Sequence, residues 1–600
     1  MKKIIDYLFF GVMGLILILN LYGSISLASS FHNSILDWLY NNLYYFFIVL
    51  GLILGIILLK LDYGIKNTEK ENNFLGKYFV YLIALIIVIG VGIRIYNIDA
   101  LGFSNDEGFT ALYSYFINNS GLPCIQGSDS CYIRGLPYHY FVSLFTMFGG
   151  ASEMLVRLPG IVLFTVFIIF VYKYLSLIKL NRIVILLVII LLSLGDYLVV
   201  MSNLARMYIM MLTFVVMFLY YYTNYSIMNN RTKSNLIMIF VSGLLAILSH
   251  ELGLLLAYFV LDFILFRRKS KLYVSLLTGL GIGIFMYLFL SIPKILYFDS
   301  NYLSYFDIIG NNNLGSYMGN IFTNIIGKIQ GQNWYFPKLL IDYLPFVFIF
   351  SLLGIIKTIQ KDDSKLYPLI GFCLFSIMVM SLYKIEHYPR YSWWIFSLFT
   401  IIAGIGFFDF VKYGWRYYLL FGIFVLTSTL NIYNYKNITY GTTINLPEHI
   451  VTVPGESYYP DDKTFVSYIQ SNYKAGDIFI YDYWIQEVNL VINDFPSPEY
   501  LISKYDPISY LQAYHYQKLY EKDGSRYLYK GGPRFIQSRG DLLDIIENNK
   551  TKNIYYISSA DYNGQRGHTI GNKNIYNYIA DFYPIVYKGK DDILRIFKLN

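Results

Sequence analysis

Residues 103–109 read FSNDEGF and follow an apolar stretch, residues 77–96, long enough to cross a bilayer. An Asp106–Glu107 pair at that place is either a hydrated turn or the reacting end of a membrane enzyme. Which of the two depends on where the rest of the chain puts it. Of the 600 residues, 56% are hydrophobic and only 14% charged. Soluble domains carry about a quarter charged residues, so this deficit, spread over long apolar runs, indicates a polytopic α-helical membrane protein. The net charge of +8 is what membrane topology produces by concentrating Lys and Arg in cytoplasmic loops. No Arg-rich or RNA-binding pattern accompanies it, and no nucleic-acid partner is expected. The 62 tyrosines suit an aromatic belt at the lipid interface.

A helix needs roughly 17–25 apolar residues to span a bilayer. Such runs fall near residues 5–22, 43–60, 77–96, 157–174, 183–201, 206–222, 235–249, 252–268, 272–291, 339–356, 366–383, 391–410 and 416–433. The first has the charged start and apolar run of a signal peptide, and is read as a first span because more spans follow. Residues 138–150 are apolar but short, and loop charge decides their treatment. Lys2 and Lys3 place the N-terminus in the cytoplasm, and Lys66 and Lys70 place loop 61–76 there too. Asp106 and Glu107 then lie outside. If 138–150 is re-entrant or surface-lying, the cationic loops at Lys173–Arg182, Arg231–Lys233, residues 266–271, Lys357–Lys365 and Lys412–Arg416 all fall inside. About thirteen crossings result, with a cytoplasmic N-terminus and an external C-terminus in the cell membrane.

Three parts are expected: residues 1–76 with two N-terminal spans, a membrane core at 77–433 with external loops 97–156 and 292–338, and a soluble extracytoplasmic α/β domain at 434–600. In the last, KTFVSYIQSNYKAGDIFIYDYW (463–484) reads as an amphipathic helix, a Gly turn and a strand. DLLDIIENNKTKNIYYISSA (541–560) repeats that order, and DDILRIFKL (591–599) is a final strand. Two such units imply partly parallel pairing.

The same topology gathers ionisable residues on the outer side: Asp106, Glu107, Arg134, His139, Glu153, Arg157, Arg206, His250, Glu251, Lys384, Glu386, His387 and Arg390. Charges at a membrane boundary are costly unless hydrated, paired or used. Glycosyl transfer from a polyprenyl phosphate would use them. The leaving group is a stable anion that needs no general acid, the acceptor needs a carboxylate base, and the departing phosphate needs fixed cations, Arg above all. An ion-coupled transporter or a flippase for lipid-linked sugars also gathers charges, but such proteins usually show internal repeats, and none is visible here.

GFSNDEGFTALYSYF (102–116) with RGLPYHYFVSLFTMFGGASEMLVRLPGIVLF (134–164) resembles the start of the GT-C integral-membrane glycosyltransferases. The likeness is strongest to the branch with protein O-mannosyltransferases and the lipid A aminoarabinose transferase. The family's Asp-Glu pair, Lys/Arg-Pro-Pro-Leu-like segment and Arg-Leu-Pro match Asp106-Glu107, Arg134-Gly135-Leu136-Pro137 and Arg157-Leu158-Pro159. NLARMY (203–208) and KIEHYPRYSWW (384–394) resemble later segments. Two departures stand out: two spans rather than one precede the Asp-Glu loop, and the Pro-Pro pair is reduced to Gly135-Leu136-Pro137. The resemblance implies a GT-C-like fold, a polyprenyl- or dolichyl-phosphate-linked sugar donor, and a lipid, glycan or protein acceptor. Membrane lipids are the remaining partner. No cofactor is certain, and a divalent metal is possible, since family members differ.

Asp106 and Glu107 are therefore the expected catalytic residues, Asp106 also being a natural N-cap for the helix that follows. Arg134, His139, Arg206, His250, Glu251, Lys384 and Arg390 are the expected substrate-binding residues. Bland readings stand beside these. Arg134 and Arg206 could snorkel to headgroups. Arg157 is expected to pair with Glu153 one helical turn away. His250 and Glu251 could be a metal pair, but adjacent residues on a helix point apart, which favours a role in cavity polarity. Asp196 is either functional or the mark of a helix break after Gly195. Cys124 and Cys131 could close a small disulfide loop in an oxidising compartment, and the sequon-like NNS (118–120) and NIT (437–439) are weak signals.

Overall fold

The computed structural model describes residues 2–28, 34–61, 73–96, 98–99, 103, 105–124, 134–264, 337, 340–341, 344–361, 365–382, 391–411, 462–482, 490–493, 500–502, 520–522, 525–527, 534–536, 538–558, 572–589 and 594–600. The expected spans 272–291 and 416–433 and most of the loop 292–338 lie outside the described residues.

The helical part runs α1 (Lys2–Ala28), α2 (Ser34–Leu61), α3 (Asn73–Ile95), α4 (Asn105–Ser120), α5 (Leu136–Thr146), α6 (Glu153–Leu177), α7 (Arg182–Leu194), α8 (Asp196–Asn203), α9 (Tyr208–Ser226), α10 (Lys233–Ser249), a 3-10 helix (Glu251–Ala257), α11 (Tyr258–Asp262), α12 (Pro345–Lys361), α13 (Tyr367–Leu382) and α14 (Trp393–Val411). Among the described residues two helices are long and apolar enough to cross a membrane, Tyr78–Ile95 and Glu153–Leu177. The pair Arg182–Leu194 and Tyr197–Asn203, bent by 56°, makes a third if counted as one span. The run read as a continuous span at 183–201 is thus broken at Gly195. Helix α5 has 11 residues, about 16 Å at 1.5 Å per residue, roughly half the hydrocarbon thickness.

α1 packs on α2 through Phe9, Val12, Met13 and Ile16, and α2 packs in turn on α12. A Cβ on Gly55 would stand 2.8 Å from Leu353 and 3.2 Å from Phe9, which shows how closely α2 approaches both neighbours. Close approach recurs between α6 and α8, where a Cβ on Gly160 would fall 2.1 Å from the Ser202 carbonyl. Helices in lipid gain stability from such backbone proximity because lipid supplies little hydrophobic drive for association.

Arg94, near the end of α3, is fully buried and ties these helices together. Its Nε donates to Ser202 Oγ at 2.7 Å, and its Nη1 donates to the carbonyls of Gly90 (2.8 Å) and Ser193 (2.7 Å). Its guanidinium lies 3.4 Å from the Phe164 ring centre. Ser193 is next to last in α7, so Arg94 satisfies a carbonyl released where α7 breaks from α8.

The C-terminal part contains α15 (Asp462–Asn472), β1 (Ile478–Tyr481), β2 (Tyr500–Ile502), β3 (Tyr520–Lys522), β4 (Ser525–Tyr527), β5 (Arg534–Ile536), α16 (Arg539–Asn548), β6 (Ile554–Ser558), α17 (Lys573–Phe582), β7 (Ile585–Lys588) and β8 (Arg595–Lys598). The strands form one sheet in the order β3-β4-β5-β2-β1-β6-β8-β7. The two helix–turn–strand units supply β1 and β6, which lie side by side and parallel, Ile478 opposite Ile554. Their turns are linked as well: Asp477 accepts from the Lys474 amide at 2.9 Å and from Asn553 Nδ2 at 2.9 Å. Tyr481, Leu501 and Phe535, from three adjacent parallel strands, are continuous with the apolar core of the helices.

Candidate active site

Helix α4 begins at Asn105. Asp106 therefore lies within the first helical turn with Glu107, rather than capping the helix from outside. Carboxylates are favoured there by the free N–H groups and the positive end of the helix dipole.

Glu107 is 1% exposed and held on both oxygens. Oε1 accepts from Arg157 Nε at 2.9 Å and from the Ala205 amide at 3.0 Å, while Oε2 accepts from Arg157 Nη2 at 2.9 Å. Arg157 Nη1 donates to the Ile98 carbonyl at 2.8 Å. The expected Arg157–Glu153 pair is thus replaced by a fork across 50 residues of sequence. Arg157 faces inward, and a bidentate, dehydrated pair outweighs a solvent-exposed i,i+4 contact. The result pins the start of α4 to α6 and to the α8–α9 junction, where Arg206 follows Ala205. Arg206 is itself buried, at 2% exposure.

A second Arg–Glu pair lies at the start of α5. Arg134 Nε donates to Glu251 Oε2 at 3.1 Å, and Nη2 donates to Glu251 Oε1. Arg134 Nη2 is also 3.3 Å from His250 Nε2. Here the side chains are 31% and 34% exposed, so this fork is open to solvent where the first is sealed. His250 and Glu251 come together because α10 ends at Ser249: His250 is extended (φ −161°, ψ 145°) and caps the 3-10 helix through Nδ1, which accepts from the Leu252 amide. Their expected divergence on a continuous helix is therefore corrected by the break, and His250 Nδ1 stands 3.5 Å from Glu251 Oε2. Burial pulls the Glu251 carboxyl upward, but neighbouring His250 and the charge and hydrogen bonds of Arg134 outweigh it and hold the group at about 2.

Gly135 makes this meeting sterically feasible. It has φ +68°, and a Cβ there would stand 3.0 Å from Met207 Cγ and 3.1 Å from the Ser249 carbonyl. The start of α5 is wedged between the α8–α9 and α10–3-10 junctions. Pro137, in the first turn of α5, suits a helix start. His139 is fully buried, and its Nε2 lies 3.2 Å from the Arg134 carbonyl. Arg206 is near enough for its charge to act on Tyr138 and His139. Rings complete the wall: Tyr208 lies 4.9 Å and Tyr391 6.2 Å from His250 between ring centres.

Arg134, His139, Arg206, His250 and Glu251 thus converge from α5, the α8–α9 junction and the α10–3-10 junction, with the start of α4 tied to the same frame by Glu107. Lys384, Glu386, His387 and Arg390 lie outside the described residues. Sequence reading missed Arg94, Tyr138 and Tyr208. For Arg94 the signal was present, an ionisable residue inside an apolar run, whereas the two tyrosines are lost among 62. Cys124 is disulfide-bonded and Cys373 is a buried free thiol, whereas Cys131 lies outside the described residues. Among the described residues no group of three or more His, Cys, Asp or Glu is placed to hold a metal.

No protein-family model matches the sequence, and no curated protein is significantly similar to it. Solved structures are. ArnT from Cupriavidus metallidurans in the apo state superposes with a TM-score of 0.55 at 11% identity, over 86% of this chain and 97% of that one. The same protein bound to undecaprenyl phosphate gives 0.53 at 11% identity with the same coverage. The oligosaccharyltransferase AglB from Archaeoglobus fulgidus gives 0.45 at 11% identity, over 80% of this chain and 70% of that one. At this identity the likeness is one of architecture alone: the chain shares the GT-C fold of these solved structures.

Proposed function

We propose that this chain transfers a sugar from a polyprenyl-phosphate-linked donor to an acceptor hydroxyl or amine on a lipid, glycan or protein at the outer face of the cell membrane, with inversion at the sugar carbon. The observation that carries this reading is the convergence of Arg134, Arg206, His139 and His250 at the start of α5, on a fold shared with a protein solved bound to undecaprenyl phosphate. In this reading about thirteen spans carry the site, the N-terminus is cytoplasmic, and residues 434–600 form an extracytoplasmic α/β domain.

Asp106 is the base. It takes the acceptor proton as the nucleophile bonds to the anomeric carbon and the carbon–oxygen bond to phosphate breaks, its electron pair leaving with the phosphate. Such a base typically contributes about 10²–10⁴ in rate. Arg134 and Arg206, with Lys384 and Arg390, supply fixed positive charge for the leaving phosphate. Glu107, whose oxygens already accept three hydrogen bonds, serves by seating the helix that carries Asp106.

The test uses full-length protein in liposomes with radiolabelled polyprenyl-phosphate sugars and extracted envelope acceptors. Asp106→Asn is expected to lose transfer by about 10² or more while carrier binding survives. Full activity of that variant would remove Asp106 from the mechanism. Vesicles that move the lipid carrier without consuming its sugar would instead support a flippase.

A further inference from the structure

The two Arg–Glu forks share chemistry but not surroundings. In Arg157–Glu107 the side chains are 7% and 1% exposed; in Arg134–Glu251 they are 31% and 34% exposed. A sealed fork is scaffold, whereas an open one at the centre of a proposed phosphate site is accessible to a competing anion.

We infer that Glu251 is the resident counter-ion of Arg134, displaced when the phosphate of the lipid carrier binds, and that it thereby sets the affinity of the site for that carrier. The inference rests on the lipid-linked-donor reading.

Three features make the exchange physically reasonable. First, Glu251 occupies the Nε–Nη2 edge of Arg134, one of the edges with which a guanidinium grips phosphate. The phosphomonoester of the carrier, the form that transfer releases, brings more charge and more acceptor oxygens than a carboxylate, so it can replace one on the same donors. Second, Arg134 is fixed independently of Glu251. Its carbonyl is 3.2 Å from His139 Nε2, and Gly135 is wedged against Met207 and Ser249. The backbone that carries the guanidinium therefore stays in place when its partner leaves. Third, the Glu251 side chain is 34% exposed, so water can hydrate it once it leaves Arg134. The displaced carboxylate need not be stranded.

The resident carboxylate also makes the site selective. An isolated, partly exposed arginine would hold any small anion or headgroup phosphate, whereas a neutralised one yields to a ligand that gains contacts elsewhere. A phosphate carrying a polyprenyl tail gains them from the membrane, and inorganic phosphate does not.

The experiment measures binding of undecaprenyl phosphate, dolichyl phosphate and inorganic phosphate to full-length protein in nanodiscs. It compares the native chain, Glu251→Gln, Glu251→Asp, Arg134→Gln and the Glu251→Gln/Arg134→Gln double variant. A partly exposed ion pair is worth about 1 kcal/mol, so removing it as a competitor should tighten carrier binding several-fold, on the order of tenfold at most. Glu251→Asp should fall between Gln and native because its shorter arm weakens the fork, and it serves if Gln does not fold. Inorganic phosphate should be undetectable on the native chain and become measurable on Glu251→Gln. The double variant should bind no better than Arg134→Gln. Native binding with no tightening in Glu251→Gln or Glu251→Asp would overturn the exchange and leave the lipid-donor reading standing. Absence of polyprenyl-phosphate binding to every form would overturn both.

Discussion

The sealed fork gives the sharpest test of the site's construction. Replacing Arg157 with Met keeps much of the side-chain bulk but removes two donors to Glu107 and keeps the Ala205 amide at 3.0 Å. Glu107 is 1% exposed, so water does not replace what is lost. Breaking a buried pair in this way costs about 3–5 kcal/mol, whereas removing both charges together is often close to neutral. Arg157→Met is therefore expected to destabilise by about 3–5 kcal/mol, and Glu107→Gln/Arg157→Met should recover most of that. A Gln in the double variant still accepts from Ala205 through its side-chain carbonyl. The assay is reversible SDS titration in mixed micelles, followed by the fluorescence of the 6 tryptophans. An Arg157→Met protein within about 1 kcal/mol of native, the range of an exposed pair, would refute the reasoning. So would a double variant no more stable than the single.

Other outcomes follow from the same geometry. Gly135→Ala must adopt φ +68° with its Cβ 3.0 Å from Met207 Cγ; a left-handed Ala costs roughly 1–2 kcal/mol, so thermal stability and carrier affinity should fall together. Arg94→Leu removes a guanidinium that donates to Gly90, Ser193 and Ser202 and should destabilise by about 3 kcal/mol. Arg94→Lys should not fully rescue it, since an ammonium lacks the planar fork; denaturation midpoints decide. Glu251 provides a pH test. Its folded value of about 2 lies below its ordinary 4.5, so its stabilisation is complete above about pH 4.5 and is lost as pH falls toward 2. Melting curves across that window should lose part of their slope in Arg134→Met, and an unchanged slope would deny the pair its role.

Much of the architecture is legible in one dimension because its cause is local. Apolar runs favour helix, and α1–α3, α6, α9, α10 and α12–α14 fall on runs read from the sequence, two of the described helices being long and apolar enough to cross a membrane. The helix–Gly turn–strand order around Gly476 and the parallel partner in residues 554–558 follow from period and turn chemistry. Asp106, Glu107 and Arg134 drew attention for an equally local reason: charged residues beside apolar runs need a reason to be there.

Partnership was not legible. Glu107 is 50 residues from Arg157 and 98 from Ala205, and Arg134 is 117 from Glu251. Sequence proximity favoured Glu153 for Arg157 and a helical divergence for His250 and Glu251. Both inferences failed for one physical reason: a charge at a membrane boundary pairs with whatever packing and dehydration bring to it, and helix breaks redirect side chains that periodicity would separate. The sequence by itself determined that this is a chain of apolar helices with carboxylates and cations collected at their ends. The tertiary structure decided which carboxylate is sealed as scaffold and which remains open to a ligand, because burial is a property of the packed helices and of no single segment.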